Sequence, residues 1–123
     1  MLIAFDPARL NTIYAALETY RLDAERATAG RTLPPVVKSG IRYEREHRNP
    51  GQPERWQLPT TLLRTKRGDC EDIATYEVTR LRAIGIKATV LLQAQGGGLY
   101  HAVVSLPGNL IYDPCLGVGM AGD

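Results

Sequence analysis

A chain of 123 residues with 44% hydrophobic and 23% charged side chains has the size and balance of one soluble globular domain. A net charge of +2 is too small to argue by itself for a nucleic-acid partner, and no apolar run approaches the ~20 residues that span a bilayer. Two cysteines and two histidines without a Cys-x-x-Cys pair make neither a disulfide framework nor a zinc site.

The chain opens Met1-Leu2-Ile3-Ala4-Phe5-Asp6-Pro7, without the basic start and long apolar stretch of a secretion signal. A cytoplasmic location is therefore the default expectation, with association with a phage-type particle as its alternative. Asp6 and Pro7 read as an N-cap and first-turn proline. Leu10, Ile13, Tyr14 and Leu17 follow at helical spacing, predicting an amphipathic helix over about 7–29 that Gly30 ends. Residues 40–43 suggest a short extended piece, residues 49–55 a loop, and residues 59–65 one or two helical turns. Between positions 38 and 67 stand eight basic side chains against three acidic ones. Such a face is either simply solvated or attractive to an anionic surface or acidic substrate; it lacks aromatic interleaving for base stacking.

The second half is better marked. Asp69 is a good N-cap, Asp72 is its capping-box acid, and a helix is predicted from Cys70 to about Ile84, closed by Gly85 in the left-handed conformation. Strand formers fill 86–92, followed by a glycine turn to Gly98, then two strands over 100–106 and 110–113 around Pro107-Gly108-Asn109. The glycine turn could also form a cleft edge admitting an extended peptide. Helices first and an antiparallel sheet second make an α+β domain, with neither a repeat nor a linker.

A nucleophilic thiol needs help to ionise near neutral pH. Cys70 at the first position of a helix gains it from the free N–H groups there, and its own backbone N–H can receive an oxyanion. Asp69, Glu71 and Asp72 work against this by raising a thiol pKa, so an imidazole, His101, has to offset them as general base and then acid. The three-residue loop 107–109 pairs Leu106 with Leu110, puts Asp113 opposite Val103, and sets it diagonal to His101 on one sheet face. A two-residue loop would turn Asp113 to the other face. Cys115 reads as a packed small residue; a bond between it and Cys70 would be inhibitory rather than structural.

Gly68-Asp69-Cys70-Glu71-Asp72, then Tyr100-His101-Ala102-Val103, then Ile111-Tyr112-Asp113-Pro114 resemble the three signature blocks of transglutaminase-like cysteine hydrolases. Arg55-Trp56-Gln57-Leu58-Pro59 is similar to what precedes the cysteine in short bacterial and phage-encoded members. The resemblance implies a papain-like core over 55–115 within a single domain 1–123, with 1–54 as an N-terminal helix and loop. It implies Cys70 as nucleophile, His101 as base and Asp113 as orienter, and it admits calcium at Asp69 and Glu71. Gln57, and next the Trp56 N–H, are the candidates for a second oxyanion donor. The reaction expected is hydrolysis of a peptide, isopeptide or glutamine-type amide in a partner protein or peptide. The alternatives are a non-catalytic assembly module and an amine-accepting crosslinker. Glu77, two turns after Cys70 on nearly the same face, has no account from the sequence beyond a salt bridge.

Overall fold

The computed structural model describes residues 3–4, 10–45, 56–96 and 99–120. Strand β1 (Ile3–Ala4) precedes helix α1 (Leu10–Ala27), a 3-10 turn (Val36–Lys38) and the two-residue strand β2 (Arg42–Tyr43). Helix α2 (Pro59–Thr65), strand β3 (Arg67–Gly68) and helix α3 (Cys70–Ala83) follow. Strands β4 (Thr89–Gly96), β5 (Leu99–Leu106) and β6 (Leu110–Tyr112) and a 3-10 turn (Leu116–Val118) complete the chain.

The α+β architecture matches the expectation, with one addition in the sheet. Strand β5 pairs antiparallel with β4 on one side. On its other side it takes β1 at its start and β6 at its end. The segment Ile3–Ala4 therefore joins the sheet before any helix, which two residues are too short to announce by alternation. Strand β4 begins at Thr89 rather than Ile86, because Gly85 (φ +90°) and the turn bonds that follow it hold residues 84–88 against the end of α3. The predicted N-cap Asp6, the loop 49–55 and the tip of the 95–98 turn lie outside the described residues.

Helix α1 buries Leu17, Tyr20 and Ala24, which recur every three to four residues, and rests on α3. Helix α3 is buried on nearly all sides: every residue from Cys70 to Thr79 is buried. It lies between α1 and the sheet, touching β5 most among the strands. Ile73, Ala74, Tyr76 and Val78 join Leu92, Ala102 and Val104 of the sheet in the hydrophobic core. This packing sets α3 against β5, the strand that carries His101.

Candidate active site

Asp69 and Asp72 form the predicted capping box, and Cys70 is the first residue of α3. The approach to this helix is built tightly. Gly68 is buried, and a Cβ on it would lie 2.6 Å from Leu62 Cδ1 and 3.1 Å from Asp72 Cβ, so the position excludes any side chain unless something shifts. Strand β2 runs parallel beside it, with Tyr43 level with Gly68 and the Glu44 N–H donating to the Gly68 carbonyl at 2.8 Å.

The hairpin behaves as the odd-length loop requires. Leu106 pairs with Leu110 across Pro107-Gly108-Asn109, and Asn109 takes the left-handed conformation (φ +60°). His101 Nε2 and Asp113 Oδ2 lie 2.5 Å apart, a short hydrogen bond between the ring and the carboxylate. With Asp113 ionised, Nε2–H donates, which assigns Nδ1 as the nitrogen able to serve a thiol. Asp113 Oδ1 accepts the Cys115 N–H at 3.0 Å, so both carboxylate oxygens are held. Burial pushes the Asp113 pKa up, but the His101 contact and the Cys115 N–H outweigh it and hold the carboxyl below its ordinary value.

Cys70 and Cys115 are both buried free thiols. Cys70 is fully covered, and its thiol donates to Glu71 Oε2 at 3.3 Å. Burial and the nearby Cys70 and Asp113 drive the Cys115 pKa far above the ordinary thiol range, which leaves it an inert core residue. The Tyr43 hydroxyl lies within the electrostatic reach of Cys70, Cys115 and Asp69, and burial and these groups push its pKa up.

The two oxyanion candidates differ. The Gln57 carboxamide is engaged at both ends: Nε2 donates to the Arg67 carbonyl (2.7 Å) and Oε1 accepts from Thr65 (2.7 Å). Trp56 stacks on Tyr20, with ring centroids 5.2 Å apart, and its Nε1–H is buried without a hydrogen-bond partner. Asp72 ties this segment to α3 by accepting the Gln57 N–H at 2.8 Å. Burial raises the Asp72 pKa to about 6, although Gln57, Asp69 and Tyr20 work to lower it.

Asp69 and Glu71, 1% and 0% exposed, do not fit calcium well. One carboxylate closes a capping box and the other receives the Cys70 thiol, whereas calcium takes six to eight oxygens. Among the described residues no group of three or more His, Cys, Asp or Glu side chains stands where it could hold a metal ion.

Glu77 is bonded to the Val36 turn, to β6 and to its own helix. It is 3% exposed and accepts from the Val36 N–H (2.9 Å), the Tyr112 hydroxyl (2.6 Å) and Arg80 (3.0 and 2.8 Å). Burial tends to raise its pKa, but these donors win and lower it. The carboxylate thus staples α3 to Tyr112, the neighbour of Asp113. An apolar groove of about 670 Å³, lined by Val37, Leu81, Ile86 and Leu110, reaches Tyr112 and Asp113 from that side but includes neither Cys70 nor His101.

A family model described as the transglutaminase-like superfamily matches residues 14–106. The chain belongs to the transglutaminase-like superfamily. The matched stretch runs from within α1 to the end of β5 and so contains Cys70 and His101, while Asp113 lies seven residues beyond it. No curated protein and no solved structure matches the chain. Membership in this transglutaminase-like group agrees with the α+β fold and generally suggests cysteine-based chemistry. No helix among the described residues is long and apolar enough to cross a membrane.

Proposed function

We propose that this transglutaminase-like domain is a cysteine hydrolase of amide bonds, with Cys70 as nucleophile, His101 as general base and acid, and Asp113 as the residue that orients His101. The observation that carries the reading is the 2.5 Å contact between His101 Nε2 and Asp113 Oδ2. It supports the reading because a carboxylate bonded to Nε2 would orient the ring and leave Nδ1 as the base.

In this mechanism His101 takes the Cys70 proton, and the helix start stabilises the thiolate. The thiolate adds to the amide carbon, and the oxyanion is received by the Cys70 N–H and by Trp56 Nε1–H. Trp56 is the better side-chain donor because its N–H is unmatched where it lies, while the Gln57 carboxamide is already bonded. The imidazolium then protonates the leaving amine as the C–N bond breaks, leaving a thioester. Water, deprotonated by His101, attacks the thioester and releases acid and thiol. Substrates are peptide, isopeptide or glutamine-type amides, and an amine replacing water in the last step would give crosslinking.

One observation favours a second reading, a non-catalytic assembly module: Cys70 is wholly covered and its thiol faces the Glu71 carboxylate, which disfavours ionisation. Alkylation of Cys70 by iodoacetamide as a function of pH separates the two. The enzyme reading expects reaction well below pH 8, lost in His101→Ala. Reaction only near pH 8.5 in both proteins would leave the assembly module.

A further inference from the structure

The sequence places an excess of cations between positions 38 and 67, and the fold decides where part of that excess goes. In β2 and β3 the chain segments 41–45 and 64–68 lie side by side, through Arg42 N–H to the Lys66 carbonyl (2.9 Å) and Glu44 N–H to the Gly68 carbonyl (2.8 Å). These ten positions hold Arg42, Arg45, Arg64, Lys66 and Arg67 against one acid, Glu44, and all six are exposed. Arg67 and Glu44 approach to 3.5 Å with 68% and 54% of their side chains open to solvent, so this pair neutralises little.

The strip is tied to the nucleophile by chain geometry. Arg67 precedes Cys70 by three residues, a span of at most about 11 Å. The parallel register pairs Arg42 with Arg67 and Tyr43 with Gly68, so the strip ends two residues before Cys70, at the entry to α3. The Tyr43 hydroxyl, whose pKa burial pushes up, lies within the electrostatic reach of both Cys70 and Arg45. Parts of the strip are braced rather than loose. Lys66 takes a left-handed conformation (φ +64°) and its ammonium donates to the Ser39 carbonyl at 2.7 Å, and Arg42 lies against Gly119.

Asp69, Glu71 and Asp72 oppose an anionic visitor, but they are 0–3% exposed and point into the domain. Among the described residues of these two segments, the exposed charge is the basic strip. Exposed cations around a reaction centre raise the local concentration of anions, an effect that acts over about a Debye length and falls with salt.

We propose that this strip selects carboxylate-rich peptides, so that the amide attacked by Cys70 lies beside acidic residues. The inference rests on the hydrolase reading for its chemistry, but the attraction can be measured without turnover. The argument favours peptide over nucleic acid because the strip holds no exposed aromatic residue and because acyl transfer needs an amide.

The test compares alkylation of Cys70 by iodoacetate and iodoacetamide, located by peptide mapping, at 20 and 300 mM NaCl. The ratio of the two rates cancels changes in thiol activation common to both reagents. It should fall about fivefold with salt, and by a similar factor at low salt in Arg45→Gln/Arg67→Gln. A ratio that moves with neither salt nor substitution would overturn the proposal, whatever the pH profile says about His101. Poly-glutamate should protect Cys70 from iodoacetamide at 20 mM NaCl. Protection by a single-stranded oligonucleotide with none by poly-glutamate would overturn the choice of a peptide.

Discussion

At the scale of single residues, the site turns on how a few buried polar atoms are matched. Asp113 spends one oxygen on His101 and the other on the Cys115 N–H. Asp113→Asn keeps the shape but loses the charge and one acceptor, so the imidazolium is no longer stabilised. Alkylation of Cys70 at pH 6.5 should slow by about 10–100-fold with an unchanged circular dichroism spectrum. Wild-type behaviour in that variant would remove Asp113 from the mechanism. Trp56→Phe retains the stack on Tyr20 and removes only the N–H. It should leave alkylation intact, since a reagent that adds no oxyanion needs no donor, while lowering turnover of an amide about 10²-fold. The placement of Cys70 at a helix start and the pairing of His101 with Asp113 were legible in the sequence, because a helix cap and a three-residue hairpin loop are local rules with long-range consequences. The engagement of Gln57 was not, since it depends on Thr65 and Arg67 eight and ten residues away.

Elements meet at two places that the proposed chemistry would depend on. The first is the entry to α3, where Gly68 leaves no room for a Cβ beside Leu62 and Asp72. Gly68→Ala should cost about 1–3 kcal/mol in urea unfolding and slow Cys70 alkylation, because relieving the clash shifts the helix start. Unchanged stability would show that Leu62 alone absorbs the extra methyl. The second is Glu77, which joins α3 to the Val36 turn and to β6. Glu77→Ala leaves Arg80, Tyr112 and the Val36 N–H without their common acceptor. It should lose about 3 kcal/mol, or roughly 10 °C in Tm, by differential scanning calorimetry. Sequence reading marked Glu77 as out of place on a buried face but could not name its partners, which come from three separate elements. Boundaries of α2 and α3 followed from proline, capping and glycine signals, whereas β1 and β3 are two-residue strands that only pairing defines.

For the whole molecule, buried carboxyls set opposite slopes of stability against pH. Asp72 binds its proton more tightly when folded, up to about pH 6, than the ordinary aspartate near 4. Between those values the native state holds more protons than the unfolded one, so this group makes stability fall as pH rises. Glu77 and Asp113 are depressed; their contribution is present above the ordinary carboxyl range and disappears as pH falls through their folded values. Urea midpoints from pH 3 to 7 should drop steeply below about 4, and Asp72→Asn should remove the decline between 4 and 6 whatever it does to the absolute value. An unaltered slope would assign that decline elsewhere. The complete enclosure of the Cys70 side chain carries a kinetic corollary. A reagent can capture sulfur only during excursions that uncover it, so raising reagent concentration should bring the modification rate to a ceiling. That ceiling is the opening frequency of the domain itself, and it would limit an enzyme built on this thiol however fast its bond-making steps were.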